Sequence, residues 1–300
     1  MRPIRPKRLH GALILLAAVM LLALAPAPAG ALTLQRTWHA KLSAGTYGAA
    51  TMRAYTSGVG QIAVSFKNLR HGRTYSIQIR RGTCSSPGTV AITLASIHTS
   101  SSGTASRSQT LSTAQMNAIW PAARSANFQI RIQNGTSVRC GAFTFTHATR
   151  VVISTLNINL PVVRGPSGYP YCNVAMYQTV TSQPREPGIT FIYAHARRGM
   201  FLPLLTKFNA YGAAGLLGRI VKVYSSSSVV SYYKIDKVRK TPVASTMNGV
   251  FDMSRERLWL QTSTGPNHTY PKLIVEAFRY KSVKTTYAAS HPTPHIVHCS

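Results

Sequence analysis

Acidic residues are scarce in this 300-residue chain, which has 5 Asp and Glu against 34 Lys and Arg and a formal charge of +29. No carboxylate side chain precedes Glu186. A hydrolase with paired carboxylates needs two acids in one site, and five dispersed acids do not indicate one. The G-x-S-x-G segment of many serine hydrolases is also missing, so that class is not indicated either.

Basic residues open the chain, and an uncharged run follows them. Met1–His10 carries four Lys or Arg residues, and Gly11–Ala25 carries no charge. Small residues at Ala27–Ala29 and Ala29–Ala31 then offer cleavage sites, which is the layout of a secretory signal peptide. The apolar run is shorter than the roughly 20 residues of a comfortable membrane span. We therefore predict a signal peptide, or alternatively an uncleaved N-terminal anchor, over residues 1–31, and an exported protein at the cell envelope.

The excess of positive charge predicts anionic partners. Nucleic acid is the usual partner of so basic a chain. An export signal instead favours anionic cell-wall polymers or lipid headgroups, so we expect no nucleic acid. Because the Lys and Arg residues form no block after the leader, adaptation to an acidic medium remains an equal alternative.

Four cysteines in an exported chain can form two disulfides in three connectivities. Cys84 and Cys140 fall in one strand-rich segment, so we predict that they pair, which leaves Cys172 and Cys299 to pair by default. Three histidines precede Cys299, but a frayed terminus is a more typical explanation than a metal site. We predict no metal and no cofactor.

Short alternating apolar runs dominate the first half of the chain, mainly within Gln61–Ile132. Asn134-Gly135 is a strong hairpin signal. One helix is expected after Ser112, where Ser-Thr-Ala-Gln has the form of a capping box, and Pro121 should end it. Residues 32–149 are therefore predicted to form a β-sandwich-like domain without a catalytic motif.

Short strands also fill the second half. They are predicted at Ile189–Tyr193, Arg219–Ser225, Val229–Val238, Leu258–Thr262 and Leu273–Ala277. A short helix is expected over Cys172–Gln178, and helix or loop over Gly199–Leu217. Many short strands with few helices favour a closed barrel. The predicted fold class is all-β, with a barrel domain at 150–287 and a flexible tail at 288–300.

Two segments of this half carry a family resemblance. Gly188–Leu205, GITFIYAHARRGMFLPLL, brings His195 to the end of an apolar strand, and Leu258–Pro266, LWLQTSTGP, ends at Thr262-Ser263. They resemble the sortases, in which a histidine follows a strand in an A-x-H-type sequence and a T-L-x-T-C strand supplies a nucleophilic cysteine. The chain is similar to a class E/F-like sortase domain, with Ser263 at the cysteine position.

The resemblance implies a set of site residues. Sortases use a thiolate, an imidazolium and an arginine to transfer a peptide acyl group to an amine. By position, His195 is the acid/base, Ser263 stands for the nucleophile and Lys272 stands for the arginine, without its bidentate fork. Arg197 and Thr262 are candidate substrate-binding residues. A hydroxyl needs an oriented base during attack, whereas a thiol can be ionised beforehand, so we expect weak or absent turnover.

Three functions remain open on these grounds. The first is a transpeptidase or hydrolase that acts on the sorting-signal peptide of a surface protein, with a cell-wall amine as acceptor. The second is a catalytically inactive module of the same fold that binds peptide or anionic cell-wall polymer. The third is a structural envelope protein that adheres through its charge. Among the acids, only Asp252 is a candidate to orient His195.

Overall fold

The structure is a computed structural model. It describes residues 34–55, 57–124, 127–166, 168–241, 249–250, 252, 254–265 and 271–299, with the side chains of 120–124 left aside. Leu32–Ser300 form one compact unit. The predicted leader, 1–31, lies outside the described residues. Within them, we find no helix with the length and apolar character needed to cross a membrane.

The first eight strands form one sheet. They are β1 (Leu34–Lys41), β2 (Gly48–Tyr55), β3 (Gly60–Phe66), β4 (Thr74–Gly82), β5 (Pro87–His98), β6 (Ala105–Leu111), β7 (Phe128–Asn134) and β8 (Ser137–Phe145). Their order is β5-β4-β7-β8-β1-β2-β3-β6. Strand β8 joins two four-stranded halves, because its first part pairs with β7 and its last residues pair with β1. Apolar side chains of both halves, such as Trp38, Ile77 and Phe128, share one core.

Helix α1 (Thr113–Arg124) begins where the capping box predicts. The Ser112 hydroxyl accepts a hydrogen bond from the Gln115 N–H at 3.2 Å, and the Gln115 side chain accepts one from the Ser112 N–H at 2.9 Å. The predicted end at Pro121 is wrong. A proline lacks only its own N–H donor, and the three residues after it keep theirs and continue the helix to Arg124.

Eight further strands close into a barrel. They are β9 (Ala148–Ile153), β10 (Ile158–Arg164), β12 (Ala175–Tyr177), β13 (Ile189–Tyr193), β14 (Ile220–Ser225), β15 (Val229–Thr241), β16 (Arg257–Ser263) and β17 (Lys272–Lys284), and the short β11 (Tyr171–Cys172) lies outside the barrel. Their order is β10-β12-β13-β16-β17-β15-β14-β9. The predicted all-β fold class is confirmed.

The helix predicted over Cys172–Gln178 is wrong. The three residues of β12 are buried and pair with β10 on one side and with β13 on the other. Closure of the barrel requires a strand here, and such tertiary pairing overrides local preference. Helix α2 (Leu202–Tyr211) lies within the predicted helix-or-loop segment, with Pro203 in its first turn.

The last described residues are held to β11. Helix α3 (Tyr287–Ser290) follows β17, and β18 (Val297–His298) pairs with β11. Cys172 and Cys299 form a disulfide with their Cα atoms 5.3 Å apart, and Cys84 and Cys140 form the other, at 5.8 Å. A flexible tail is expected at 288–300 from the sequence; among the described residues, strand pairing and a covalent bond anchor residues 297–299.

A buried ion pair joins the first sheet to the loop before β13. Arg36, on β1, contacts both carboxylate oxygens of Glu186, and its Nη2 lies 3.0 Å from Oε2. The guanidinium also donates to the carbonyls of Thr179 and Thr181, at 3.0 and 2.6 Å. Burial raises the pKa of Glu186, and the Arg36 charge opposes that shift. The guanidinium thus fixes the loop against the sheet.

We expect Glu186→Ala to lower the free energy of unfolding by about 3–5 kcal/mol, because Arg36 would stay buried without its counter-charge. The matched control is Asp236→Ala, which breaks an ion pair with Arg257 whose acid is 35% exposed. That change should lower the free energy by about 1 kcal/mol or less. Denaturant unfolding followed by tryptophan fluorescence measures both. Equal losses in the two variants would contradict the assigned role of Arg36.

Candidate active site

Strands β13 and β16 are parallel neighbours, and their register sets the site. Tyr193, at the end of β13, pairs with Gln261. The next amide, that of Ala194, donates to the Gln261 carbonyl at 3.1 Å. All five residues of β13 are buried, as expected of a strand covered on both faces. The register therefore brings His195, which follows β13, to the same end of the barrel as Ser263, the last residue of β16.

Ser263 and Lys272 are in direct contact. They are cross-strand partners between β16 and β17, and the Lys272 Nζ donates to the Ser263 Oγ at 3.0 Å. Lys272 is only 7% exposed, and this burial lowers its pKa. A lysine with a lowered pKa is more readily neutral, and a neutral amine accepts a proton from a hydroxyl. Serine and lysine form the nucleophile and base in several unrelated acyl-transfer enzymes.

A backbone carbonyl orients the ring of His195. Its Nε2 lies 3.1 Å from the Pro170 oxygen, and because a carbonyl only accepts, Nε2 carries a proton. The Tyr169 ring lies against the imidazole, with the ring centroids 5.2 Å apart. Sequence analysis missed both Tyr169 and Pro170, because their segment shows no pattern that would connect it with a histidine more than twenty positions later.

The five acids have described partners away from His195. Four are in ion pairs: Glu186 with Arg36, Asp236 with Arg257, Glu256 with Arg279 and Glu276 with Arg239. The fifth, Asp252, accepts a hydrogen bond from the Ser254 N–H at 2.8 Å, which lowers the pKa of this exposed carboxyl. The structure therefore offers no support for Asp252 as the residue that orients His195, and the Pro170 carbonyl holds the ring instead.

The two candidate substrate-binding residues have different surroundings. Arg197 is exposed, and its Nη1 donates to the Cys172 sulfur at 3.2 Å. Thr262 is 1% exposed, so its hydroxyl lies within the barrel wall. A direct contact of either residue with substrate stays a prediction, and for Thr262 it would require the strand end to open.

Three potential metal ligands cluster here. One ligand atom each of Cys172, His195 and Cys299 lies within 4.8 Å of the others. A zinc site of this type needs cysteine thiolates. Because the two sulfurs are bonded to each other, they supply none in this state of the protein.

Comparisons with known proteins give structural neighbours only. No family model matches the chain, and no curated protein sequence matches it. Among solved structures, a sortase C-1 from Streptococcus pneumoniae is 20% identical, with a TM-score of 0.38, over 44% of this chain and 66% of that one. Sortase A of Listeria monocytogenes is 15% identical, with a TM-score of 0.37, over 46% and 89%. At this level of similarity, the chemistry of the site has to be argued from its own residues.

The reactivity of Ser263 should depend on the protonation of Lys272. We expect the rate of Ser263 labelling by an organophosphonate to rise with pH and to level off, with a midpoint below the usual lysine value of about 10.4. Only the neutral amine accepts the hydroxyl proton, and burial lowers the pKa of Lys272. Intact-mass spectrometry across the pH range measures the rate.

The matched control for this measurement is Lys240→Met on β15, whose backbone pairs with Leu273, the neighbour of Lys272. This variant should keep the wild-type profile, whereas Lys272→Met should abolish the rise. A rise of the same size in Lys272→Met would show that another group takes the proton.

Proposed function

We propose that this barrel end performs serine-dependent acyl transfer on a peptide, with Ser263 as nucleophile, Lys272 as general base and His195 as the acid that protonates the leaving amine. The observation that carries the proposal is the 3.0 Å contact between the Lys272 Nζ and the Ser263 Oγ at a lysine that is only 7% exposed. The hydroxyl thus has beside it the base that its chemistry needs. This contact supports turnover by Ser263, which the resemblance to a cysteine enzyme did not predict.

The reaction balances in two steps. The Ser263 oxygen attacks the peptide carbonyl, its proton passes to the neutral Lys272 amine, and the C–N bond breaks as His195 protonates the departing amine. A second amine then attacks the acyl-serine ester and passes a proton to His195, the C–O bond to Ser263 breaks, and the Lys272 ammonium returns a proton to the serine oxygen, which completes transpeptidation. Water in place of that amine gives hydrolysis. Both outcomes use the same residues, and the acceptor decides between them.

The substrate class follows from the sequence resemblance and from the compartment. The segments around His195 and Ser263 resemble those of class E/F-like sortases, which points to the sorting-signal peptide of a surface protein and a cell-wall amine. Two disulfides suit an exported protein. The predicted leader and the formal charge of +29 suit the cell envelope. We place the protein there, secreted or anchored.

Lys272 can serve either as a base or as a fixed cation that stabilises the oxyanion. An arginine distinguishes the two roles, because a guanidinium does not deprotonate in proteins but donates well to an oxyanion. If Lys272 is the base, Lys272→Arg removes serine activity. In a Ser263→Cys background, the nucleophile is ionised in advance, and the same arginine strengthens oxyanion binding.

We expect Lys272→Arg to reduce acyl-enzyme formation by about 100-fold or more in the serine protein. In the Ser263→Cys protein, which should react faster than wild type, the same substitution should increase it further. The assay incubates each variant with a pooled pentapeptide library and an amine acceptor, and mass spectrometry detects the acyl-enzyme. Ser263→Ala is the blank, and His195→Ala should abolish the gain in the cysteine protein. An adduct on serine that survives Lys272→Arg would disprove the base role. No adduct in any variant would reject acyl transfer.

A cleft elsewhere on the barrel favours a second candidate function, the binding of an anionic cell-wall polymer. The cleft has a volume of about 700 Å³ and is lined by Arg219, Lys222, Tyr232 and Tyr280, among others. None of its described lining residues is acidic. The amine of Lys222 lies 5.8 Å from the Tyr232 ring centroid, and that of Lys281 lies 4.6 Å from it. Cations beside aromatic faces suit a charged polymer that carries sugar rings.

We expect Lys222→Gln to weaken binding to purified teichoic acid by about two- to fivefold at low salt, as for one half-exposed charge. The difference should shrink at high salt because ions screen the contact. Lys41→Gln, at an exposed position of β1, is the matched control, and Ser263→Ala should bind as wild type does. Calorimetry at two salt concentrations measures these affinities. If Lys222→Gln and Lys41→Gln weaken polymer binding equally, the binding is due to the net charge of the protein and the cleft is not a specific site.

A further inference from the structure

The two cysteines of the Cys172–Cys299 disulfide, beside His195, differ in their exposure to solvent. The disulfide joins Cys172, in β11, to Cys299, which directly follows the paired strand β18. Cys172 is only 7% exposed, whereas Cys299 is partly exposed. An external thiol therefore has better access to the Cys299 sulfur, and Cys172 would be the leaving group.

The surroundings of Cys172 suit a leaving thiolate. The Arg197 Nη1 lies 3.2 Å from its sulfur, and a ring nitrogen of His195 lies within 4.8 Å of both sulfurs. The guanidinium cation of Arg197 stabilises a thiolate at this sulfur, and exchange is faster when the departing thiol is more acidic. The sulfur of Cys140 in the other disulfide instead contacts the side-chain amide of Gln129, which carries no charge.

We propose that Cys172–Cys299 is a redox-active disulfide that exchanges with dithiols or with glutathione-type thiols. The attacking thiolate forms a bond to the Cys299 sulfur, the S–S bond breaks, and Cys172 leaves as a thiolate beside Arg197 and His195. A second thiolate of the reductant then attacks the mixed disulfide and releases Cys299. Two electrons pass from the reductant, which becomes the disulfide, and the two protein thiols take up two protons.

Opening this disulfide would also affect the contacts that hold the ring of His195. Pro170 and Tyr169, which contact the His195 ring, lie within three residues of Cys172. The disulfide and the β11–β18 pairing hold this segment against the ring, so opening the bond loosens the support of His195. The redox step itself does not depend on the proposed acyl transfer, and it is measured without any peptide substrate.

The experiment equilibrates the full chain in glutathione buffers of defined ratio, followed by acid quenching, alkylation and peptide mass spectrometry of all four cysteines. Arg197→Gln should reduce the equilibrium constant for reduction of Cys172–Cys299 by about two- to fivefold, the effect expected of one exposed cation next to the sulfur. Arg198→Gln, at the adjacent exposed position, is the matched control and should leave it unchanged. Cys84–Cys140 is the internal control in the same sample, and the equilibrium constant for its reduction should not change in either variant.

The wild-type protein alone tests the direction of attack. After acid quenching of partly reduced samples, the glutathione adduct should lie on Cys299 and not on Cys172. An adduct mainly on Cys172 would overturn the proposed order, and so would equal effects of Arg197→Gln and Arg198→Gln. If no buffer ratio opens this bond before Cys84–Cys140 is reduced, the bond is structural and the proposal fails.

Discussion

The parallel pairing of β13 with β16 is the constraint on which the site depends. Both strands are largely buried, so their register is set by apolar packing on the two faces, and a slip of one residue would turn every side chain to the opposite face. That register brings His195 and Ser263 to one end of the barrel. The antiparallel return of β17 then places Lys272 opposite Ser263. Three residues spread over 78 positions of sequence thus share one end of a sheet.

Scarcity of carboxylates shapes the chemistry of this site. Four of the five acids are in ion pairs, and the fifth, Asp252, accepts a hydrogen bond from the Ser254 N–H. The histidine is oriented by a backbone carbonyl, and the serine is paired with an amine. A Ser-Lys pair needs no acid, because burial alone lowers the pKa of the lysine. A chain so poor in acids can therefore still place the proposed nucleophile, Ser263, beside the proposed base, Lys272.

The segments around His195 are fixed from two sides. Upstream, the buried Arg36 guanidinium of the first sheet holds the loop that carries Glu186, immediately before β13. At the other side, the disulfide of Cys172 and the pairing of β11 with β18 hold the residues that contact the histidine ring. The first sheet and the chain end, which supply none of the proposed catalytic groups, thus both support the geometry of the site.

The sequence by itself determined the local features. The bounds of β13, the capping box before α1 and the all-β fold class follow from periodicities and end signals that span a few residues, and these were confirmed. The Cys172–Gln178 segment, the anchored chain end, the Pro170 contact and the hydrogen bond between Lys272 and Ser263 were decided by the tertiary structure alone. Each depends on which distant segments become neighbours when the barrel closes, and barrel closure is a property of all its strands together that no short stretch of sequence encodes.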